Sequence, residues 1–253
     1  MGAGHAHVLH LERDSLVHRL PPQVKILASV AFTLLVVLTP RESMWAFAAY
    51  AVLLAAVAAL ARVGPLWIAR RTLIEVPFVV LAVLLPFLGG GETVTWLGVD
   101  LSVEGLYGAW NIAVKGTLGV VSSLLLAATT PVNDLITGLE RLRCPQIITQ
   151  IAAFMLRYLQ VLSDEARRMR VARLSRGYEP RFFWQLRAWA TGAGALFLRA
   201  FERGERVYVA MLSRGYTGTF PRIKGRHARP GEWLAALAFG AVTGAVTLAA
   251  VLT

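Results

Sequence analysis

Five apolar runs constrain the fold of this chain more than any other feature of its sequence. Each run contains between 16 and 24 residues. Short polar or Gly/Pro-containing turns, or longer charged segments, separate the runs. The five runs are Val24–Thr39, Met44–Ala61, Leu73–Leu88, Leu106–Thr129 and Trp233–Leu252. A transmembrane helix needs about 20 apolar residues, and shorter runs can span with the help of flanking side chains. The chain is 56% hydrophobic with a mean hydropathy of +0.57. We therefore predict an all-α membrane protein with about five transmembrane helices.

The basic residues predict how these helices are oriented. Residues 131–231 contain 18 Lys and Arg against 7 Asp and Glu, which equals the net charge of +11 of the whole chain. Basic residues also flank the first run and fill the turn at residues 62–71, whereas the Gly89–Gly105 loop carries only acidic charges. Because cytosolic segments are enriched in Lys and Arg, the sequence predicts a protein of the cytoplasmic (inner) membrane with its amino terminus inside. The predicted division is a cytosolic tail at 1–23, four spans at 24–130, a cytosolic domain at 131–231 and a final span at 232–253.

The cytosolic domain has a helical pattern. Pro131–Leu142 predicts a short amphipathic helix, and Gln146–Arg176 and Phe182–Arg214 predict two long helices with an apolar first half and a basic second half. We expect these to lie at the membrane interface with their basic ends in the cytosol. Ion pairs at four-residue spacing are expected between Asp164 and Arg168 and between Glu202 and Arg206.

A five-residue repeat, Leu-Ser-Arg-Gly-Tyr, ends both long helices. It occurs at Leu174–Tyr178 and again 38 positions later at Leu212–Tyr216. A base followed by Gly is typical of a helix C-terminus, because Gly adopts the left-handed conformation that closes the last turn. Capping alone does not require Leu, Ser and Tyr to be repeated, so two equivalent helix ends also indicate two equivalent binding partners. The candidate partner-binding residues are Ser175, Arg176, Gly177, Ser213, Arg214 and Gly215.

Other polar residues have open interpretations. Lys115 lies near the middle of the fourth run, where it either has a function or pairs within the helix bundle or snorkels to the interface. Glu75 is expected to reach the interface from the start of the third run. The amino-terminal histidines either bind a metal ion weakly or belong to a solvated tail. No nucleotide-binding loop, hydrolase motif or membrane histidine is found, so we predict a non-catalytic protein that binds no cofactor or metal itself.

The sequence resembles the transmembrane coupling (T) components of energy-coupling-factor (ECF) transporters, in particular the CbiQ family of cobalt systems. The family signature is a pair of short Ala/Ser-Arg-Gly motifs at the ends of long cytosolic helices, here Ser175–Gly177 and Ser213–Gly215. Further similarity is carried by Ser15–Pro21 with Val24 and Lys25, and by Ala128–Pro131, Leu139–Pro145, Arg157-Tyr158 and Asp164–Met169.

The resemblance implies a mechanism and a set of partners. Arg176 and Arg214 would each bind one of two CbiO-like ATPase subunits, and ATP-driven closure would move the two helix ends. The movement would pass to a CbiM-like substrate-binding membrane subunit, with or without a small CbiN-like protein. ATP and Co²⁺ would be bound by these partners, and no nucleic acid is expected. The preference for cobalt over nickel rests on the resemblance alone.

Two alternatives from other functional classes remain open on the residues themselves. The basic segment could belong to a membrane-anchored protein that binds anionic lipid or nucleic acid. A self-sufficient secondary transporter is the other alternative, for which Lys115 is the one polar midplane candidate.

Overall fold

A computed structural model describes residues 10–11, 13–88, 93–96, 99–177, 186–218 and 229–253. The helices in the described part are α1 Leu16–Arg19, α2 Pro22–Leu38, α3 Met44–Leu60, α4 Pro65–Thr72, α5 Val76–Leu88, α6 Val103–Thr129, α7 Val132–Arg141, α8 Gln146–Ser175, α9 Leu186–Leu212 and α10 Pro230–Leu252. A 3-10 turn, Leu73–Glu75, joins α4 to α5. The predicted all-α class is confirmed, with one short hairpin added. The prediction that residues 62–71 form a turn is wrong in part, because Pro65 begins helix α4 there.

The hairpin lies in the segment that we predicted to be a loop. Strand β1, Thr93–Trp96, pairs antiparallel with β2, Val99–Ser102, so that Thr93 faces Ser102 and Trp96 faces Val99. Ser102 then caps α6, because its Oγ accepts a hydrogen bond of 3.2 Å from the Gly105 amide. Helix α6, which contains the fourth apolar run, consequently begins at Val103, three residues before the predicted Leu106.

The chain divides into two compact units. The first unit comprises Met1–Leu142 and Arg226–Thr253, and the second comprises Arg143–Gly225. Helix α7 belongs to the first unit, where it packs against α2. At Gly138 the two helices approach so closely that an added Cβ would lie 2.8 Å from Cδ1 of Ile26. The predicted assignment of residues 131–231 to one side of the membrane stays a prediction.

The core of the first unit lies among α2, α3, α6 and α10. Phe32 and Tyr50 are each 1% exposed and make an edge-to-face contact. The Tyr50 hydroxyl lies 3.0 Å from Thr39 Oγ1 and 2.7 Å from Thr247 Oγ1, which links α3 to the end of α2 and to α10. Hydrogen bonds of this kind hold helices together where lipid supplies no hydrophobic driving force between them.

Two of the described helices, α6 and α10, are long and apolar enough to cross a membrane by length and composition, while α2 and α3 are shorter apolar helices of 17 residues. Helix α5 has 13 residues and no charged side chain. The count of five spans therefore stays a prediction.

Glu75 does not reach the interface, and this prediction is wrong. The side chain lies at the end of the 3-10 turn, is 4% exposed, and its Oε2 accepts a 3.0 Å hydrogen bond from the Thr117 hydroxyl of α6. The Oε1 atom occupies the space that a Cβ at Gly116 would need. The tight turn directs the carboxyl group toward α6, and a glycine at position 116 leaves room for it.

Lys115 pairs within the bundle. Its Nζ donates hydrogen bonds of 2.9 Å to the Val37 carbonyl and 2.8 Å to the Thr39 carbonyl, and lies 5.9 Å from the centre of the Phe47 ring. The last carbonyls of a helix have no partner within the helix and attract a cation. Lys115 therefore acts as a side-chain cap for the C-terminus of α2.

Candidate functional site

The first copy of the repeat closes α8. Ser175 is the last helical residue, Arg176 is the C-cap, and Gly177 has a φ of +73°. The amides of Arg176 and Gly177 donate to the carbonyls of Arg173 and Leu174, at 3.2 and 2.9 Å. The Ser175 hydroxyl turns back to the Val171 carbonyl at 3.0 Å, so it supports the last turn.

The second copy closes α9 in the same way. Gly215 has a φ of +82°, and its amide donates to the Leu212 carbonyl at 3.0 Å. The amides of Arg214 and Tyr216 both donate to the Met211 carbonyl at 3.0 Å, and the Ser213 hydroxyl donates to Ala210 at 3.0 Å. The left-handed conformation predicted for both glycines is confirmed, and each glycine directly follows the arginine at its helix end.

Both arginines at these ends are exposed. Arg176 and Arg214 are exposed to solvent, as are the serine and glycine on either side of each. Within the described part of the chain, neither guanidinium has a hydrogen bond or an ion pair. An exposed planar guanidinium that makes no hydrogen bond can form two parallel hydrogen bonds with a carboxylate or with backbone carbonyls of another protein.

Helices α8 and α9 run antiparallel, so that the two ends lie far apart. The Tyr216 hydroxyl donates to Oε1 of Gln150 at 3.2 Å, Arg199 contacts Glu165, and Gly192 lies beside Arg173. These three contacts follow one antiparallel register. With a rise of 1.5 Å per residue, this register places the C-terminal ends of α8 and α9 roughly 35–40 Å apart along the helix pair.

Glu165 makes the ionic contact between the two helices. It accepts hydrogen bonds from Arg168, one turn away on α8, at 2.8 Å and from Arg199 of α9. The hydrogen bonds from Arg168 and Arg199 lower the pKa of the Glu165 carboxyl. The predicted pair between Asp164 and Arg168 is wrong, because Arg168 turns to Glu165 and Asp164 pairs with Arg167 at 3.3 Å. The predicted pair between Glu202 and Arg206 is present at 4.0 Å.

Large apolar side chains are exposed on the second unit. On α8 they include Ile147, Ile148, Ile151, Met155 and Leu159, and on α9 they include Phe197, Leu198, Phe201, Tyr208 and Val209. Exposed apolar surface of this extent indicates contact with lipid or with another protein. The aromatic cluster at residues 182–184, predicted to begin the second long helix, lies outside the described residues.

Comparison with known protein families assigns the chain to a family. Residues 13–224 match the model of the CbiQ family, described as cobalt transport proteins. The matched range includes both helix ends. The chain belongs to the CbiQ family.

Individual relatives agree with this assignment. The energy-coupling factor transporter transmembrane protein EcfT of Bacillus selenitireducens is 33% identical over 229 residues, covering 84% of each chain. A cobalt transport protein CbiQ of Rhodobacter capsulatus is 32% identical over 122 residues, which is 48% of this chain and 50% of the relative. A fused cobalt transport protein CbiMQ of Methanocorpusculum labreanum is 30% identical over 143 residues, covering 54% of this chain and 24% of the relative.

Membership of the CbiQ family makes this chain a membrane component of a transporter and a non-catalytic subunit.

The sequence alone identified the two helix ends but missed two polar contacts. Glu165 and Arg199 are 34 positions apart, and no local pattern marks them as partners. Glu75 and Thr117 are 42 positions apart. The one sequence signal for this contact was that Glu75 is the lone carboxylate in an apolar run.

Proposed function

We propose that this CbiQ-family chain is the coupling component of an ATP-driven ECF-type importer, and that Arg176 and Arg214 transmit the motion of the ATPases. The observation that carries the proposal is the equivalence of the two helix ends. Each has the same sequence, the same left-handed glycine cap and an exposed guanidinium. Each of the two CbiO-like ATPase subunits binds one end in a groove.

The antiparallel register supports two separate ATPase contacts. Ends that lie roughly 35–40 Å apart are too distant for a single side-chain pocket, but they can engage two subunits of one dimer. The Glu165–Arg199 contact joins α8 to α9 between these ends. A displacement of either end is thereby transmitted to the other helix.

Substrate and nucleotide belong to the partner subunits in this proposal. ATP is bound by the ATPases, and the transported ion, Co²⁺, is bound by a CbiM-like membrane subunit, with or without a small CbiN-like protein. The name of the family model and the names of the CbiQ and CbiMQ relatives support cobalt as the substrate. The exposed apolar faces of α8 and α9 contact the membrane subunit and the bilayer interface.

The proposed topology has five spans in the cytoplasmic membrane with the amino terminus inside. The spans contain α2, α3, α5, α6 and α10, and the Ser-Arg-Gly helix ends lie in the cytosol. The positions of the basic residues support this arrangement.

The experiment is co-purification of the ATPases with the full chain, together with cobalt uptake. We expect Arg176→Ala combined with Arg214→Ala to abolish uptake and to reduce ATPase recovery at least tenfold, because two charge-assisted contacts are lost. The matched control is Arg170→Ala with Arg206→Ala, which removes the same charge from exposed positions on the same helices. Equal loss in both double variants would indicate general electrostatic binding, and normal uptake in the first would refute coupling through the two arginines.

A further inference from the structure

A partly open cavity lies in the first unit, among the four helices that form its core. Its volume is about 250 Å³, and its wall is almost entirely apolar. The wall includes side chains from every one of α2, α3, α6 and α10, among them Ala28, Leu54, Leu125, Ala236 and Phe239. A narrow apolar space between membrane helices fits an alkyl chain better than it fits a polar solute.

The cavity has a cation at one end. Lys25 lines it from the first turn of α2 and is 8% exposed. Its Nζ donates one hydrogen bond, of 2.8 Å, to the Thr129 carbonyl. Asp134 attracts it from a longer distance, but no carboxylate among the described residues lies within ion-pair distance.

An ammonium group has three donors, and a buried ammonium is costly when most of them are unpaired. The Thr129 carbonyl, the last of α6, satisfies one donor of Lys25 and offsets part of its charge, and no hydrogen-bond partner for the other two donors lies among the described residues. An anionic group at this end of the cavity supplies acceptors for the two remaining donors of Lys25 and compensates the rest of its charge. Deeper along the same wall the polar groups are paired, because Ser29 and Ser122 bond each other at 2.9 Å.

We propose that this cavity holds one acyl chain of an anionic phospholipid, whose phosphate is bound by Lys25. The proposal rests on the proposed topology, which places Lys25 at the cytosolic end of α2. The cytosolic leaflet is the source of anionic lipid at that depth. Because all four core helices line the cavity, the bound chain fills the centre of the bundle and stabilises its packing.

The test is native mass spectrometry of the purified full chain with phosphatidylglycerol or phosphatidylcholine carrying identical acyl chains. We expect one phosphatidylglycerol molecule to be retained, and Lys25→Met to weaken this binding about fivefold, the contribution of one basic side chain to anionic-lipid binding. Arg19→Met is the matched control, because Arg19 is an exposed base on the same side that does not line the cavity. Equal retention of the two lipids, or equal losses from both substitutions, would overturn the proposal.

A second pair of variants tests the acyl chain independently of the charge. Ala236→Phe fills the cavity and should displace the lipid, whereas Ala238→Phe, at an exposed position on α10 outside the cavity wall, should leave binding unchanged. Lipid retention in Ala236→Phe equal to that of the unaltered chain would refute the proposed site. Since the measurement needs no ATPase, its failure is distinct from failure of the coupling function.

Discussion

Glu165 of α8 accepts a hydrogen bond from Arg199 of α9, 34 positions along the chain, while it also binds Arg168 of its own helix. One carboxylate thus connects the two helices that carry the Ser-Arg-Gly ends.

The Glu165 contact should depend on pH. Arg168 and Arg199 lower the pKa of Glu165 in the folded protein below its ordinary value of 4.5. The contact is therefore fully stabilising above pH 4.5 and is lost as the pH falls through the lowered native pKa. Glu165→Gln should reduce the unfolding temperature at pH 7, and the difference from the unaltered chain should disappear under strongly acidic conditions.

Asp164→Asn is the control for that experiment, because Asp164 bonds Arg167 within α8 and makes no described contact with α9. An equal effect of the two substitutions at pH 7 would contradict a special role for Glu165.

The glycines that end α8 and α9 should not tolerate a side chain. Gly177 and Gly215 have φ values of +73° and +82°, so alanine at either position should cost about 1–2 kcal/mol in the last helical turn. Gly177→Ala and Gly215→Ala should therefore lower ATPase recovery while the spans still fold.

Gly204→Ala provides the matched control, since Gly204 lies inside α9 with nothing within 4 Å of an added Cβ. Alanine there should leave the free energy of unfolding unchanged or raise it by about 0.5–1 kcal/mol. Loss of ATPase binding from this substitution would argue against a local effect at the helix ends.

The space beside Glu75 should make residue 116 sensitive to size. Gly116→Ala places a methyl group against the buried carboxyl group, and overpacking of this kind costs about 1–3 kcal/mol. Gly119→Ala on the same helix meets only Thr33 Cγ2, at 3.8 Å, and should be tolerated. Equilibrium unfolding in detergent compares the two, and equal stability would contradict the close Glu75–Gly116 approach.

Lys115 should matter for stability rather than for the transported ion. Lys115→Met removes two charge-assisted hydrogen bonds to the end of α2, and we expect a loss of about 1.5–3 kcal/mol in unfolding free energy. Cobalt uptake per folded complex should be unchanged. A selective loss of uptake at normal stability would instead support a transport role for Lys115.

The starts of α7 and α8 and the ends of α8 and α9 could be predicted from the sequence because their causes are local. Pro131 and Pro145 precede α7 and α8 directly, and Gly177 and Gly215 close α8 and α9. Each of these residues acts through its own backbone conformation, so the prediction needed no knowledge of the fold. The hairpin also had a local signal, because Thr93–Trp96 alternates polar with apolar residues and contains three consecutive β-branched residues.

Contacts between distant segments could not be predicted in this way. Arg168 pairs with Glu165 instead of Asp164 because Glu165 lies on the face of α8 that meets Arg199. The burial of Glu75 likewise depends on how the 3-10 turn meets α6. For the candidate site, Arg176 and Arg214 stay a prediction from the sequence, and their placement at opposite ends of a helix pair follows only from the contacts between α8 and α9.

The antiparallel arrangement gives α8 and α9 a local pseudo-twofold axis, which exchanges the first repeat with the second. If the two ATPases are copies of one polypeptide, a single change in the ATPase groove alters the contacts with Arg176 and Arg214 simultaneously. Restoring the fit would then require the same substitution twice in this chain, once in each repeat. Under the proposed function, the five residues Leu-Ser-Arg-Gly-Tyr would form one recognition sequence that the chain has to keep in duplicate.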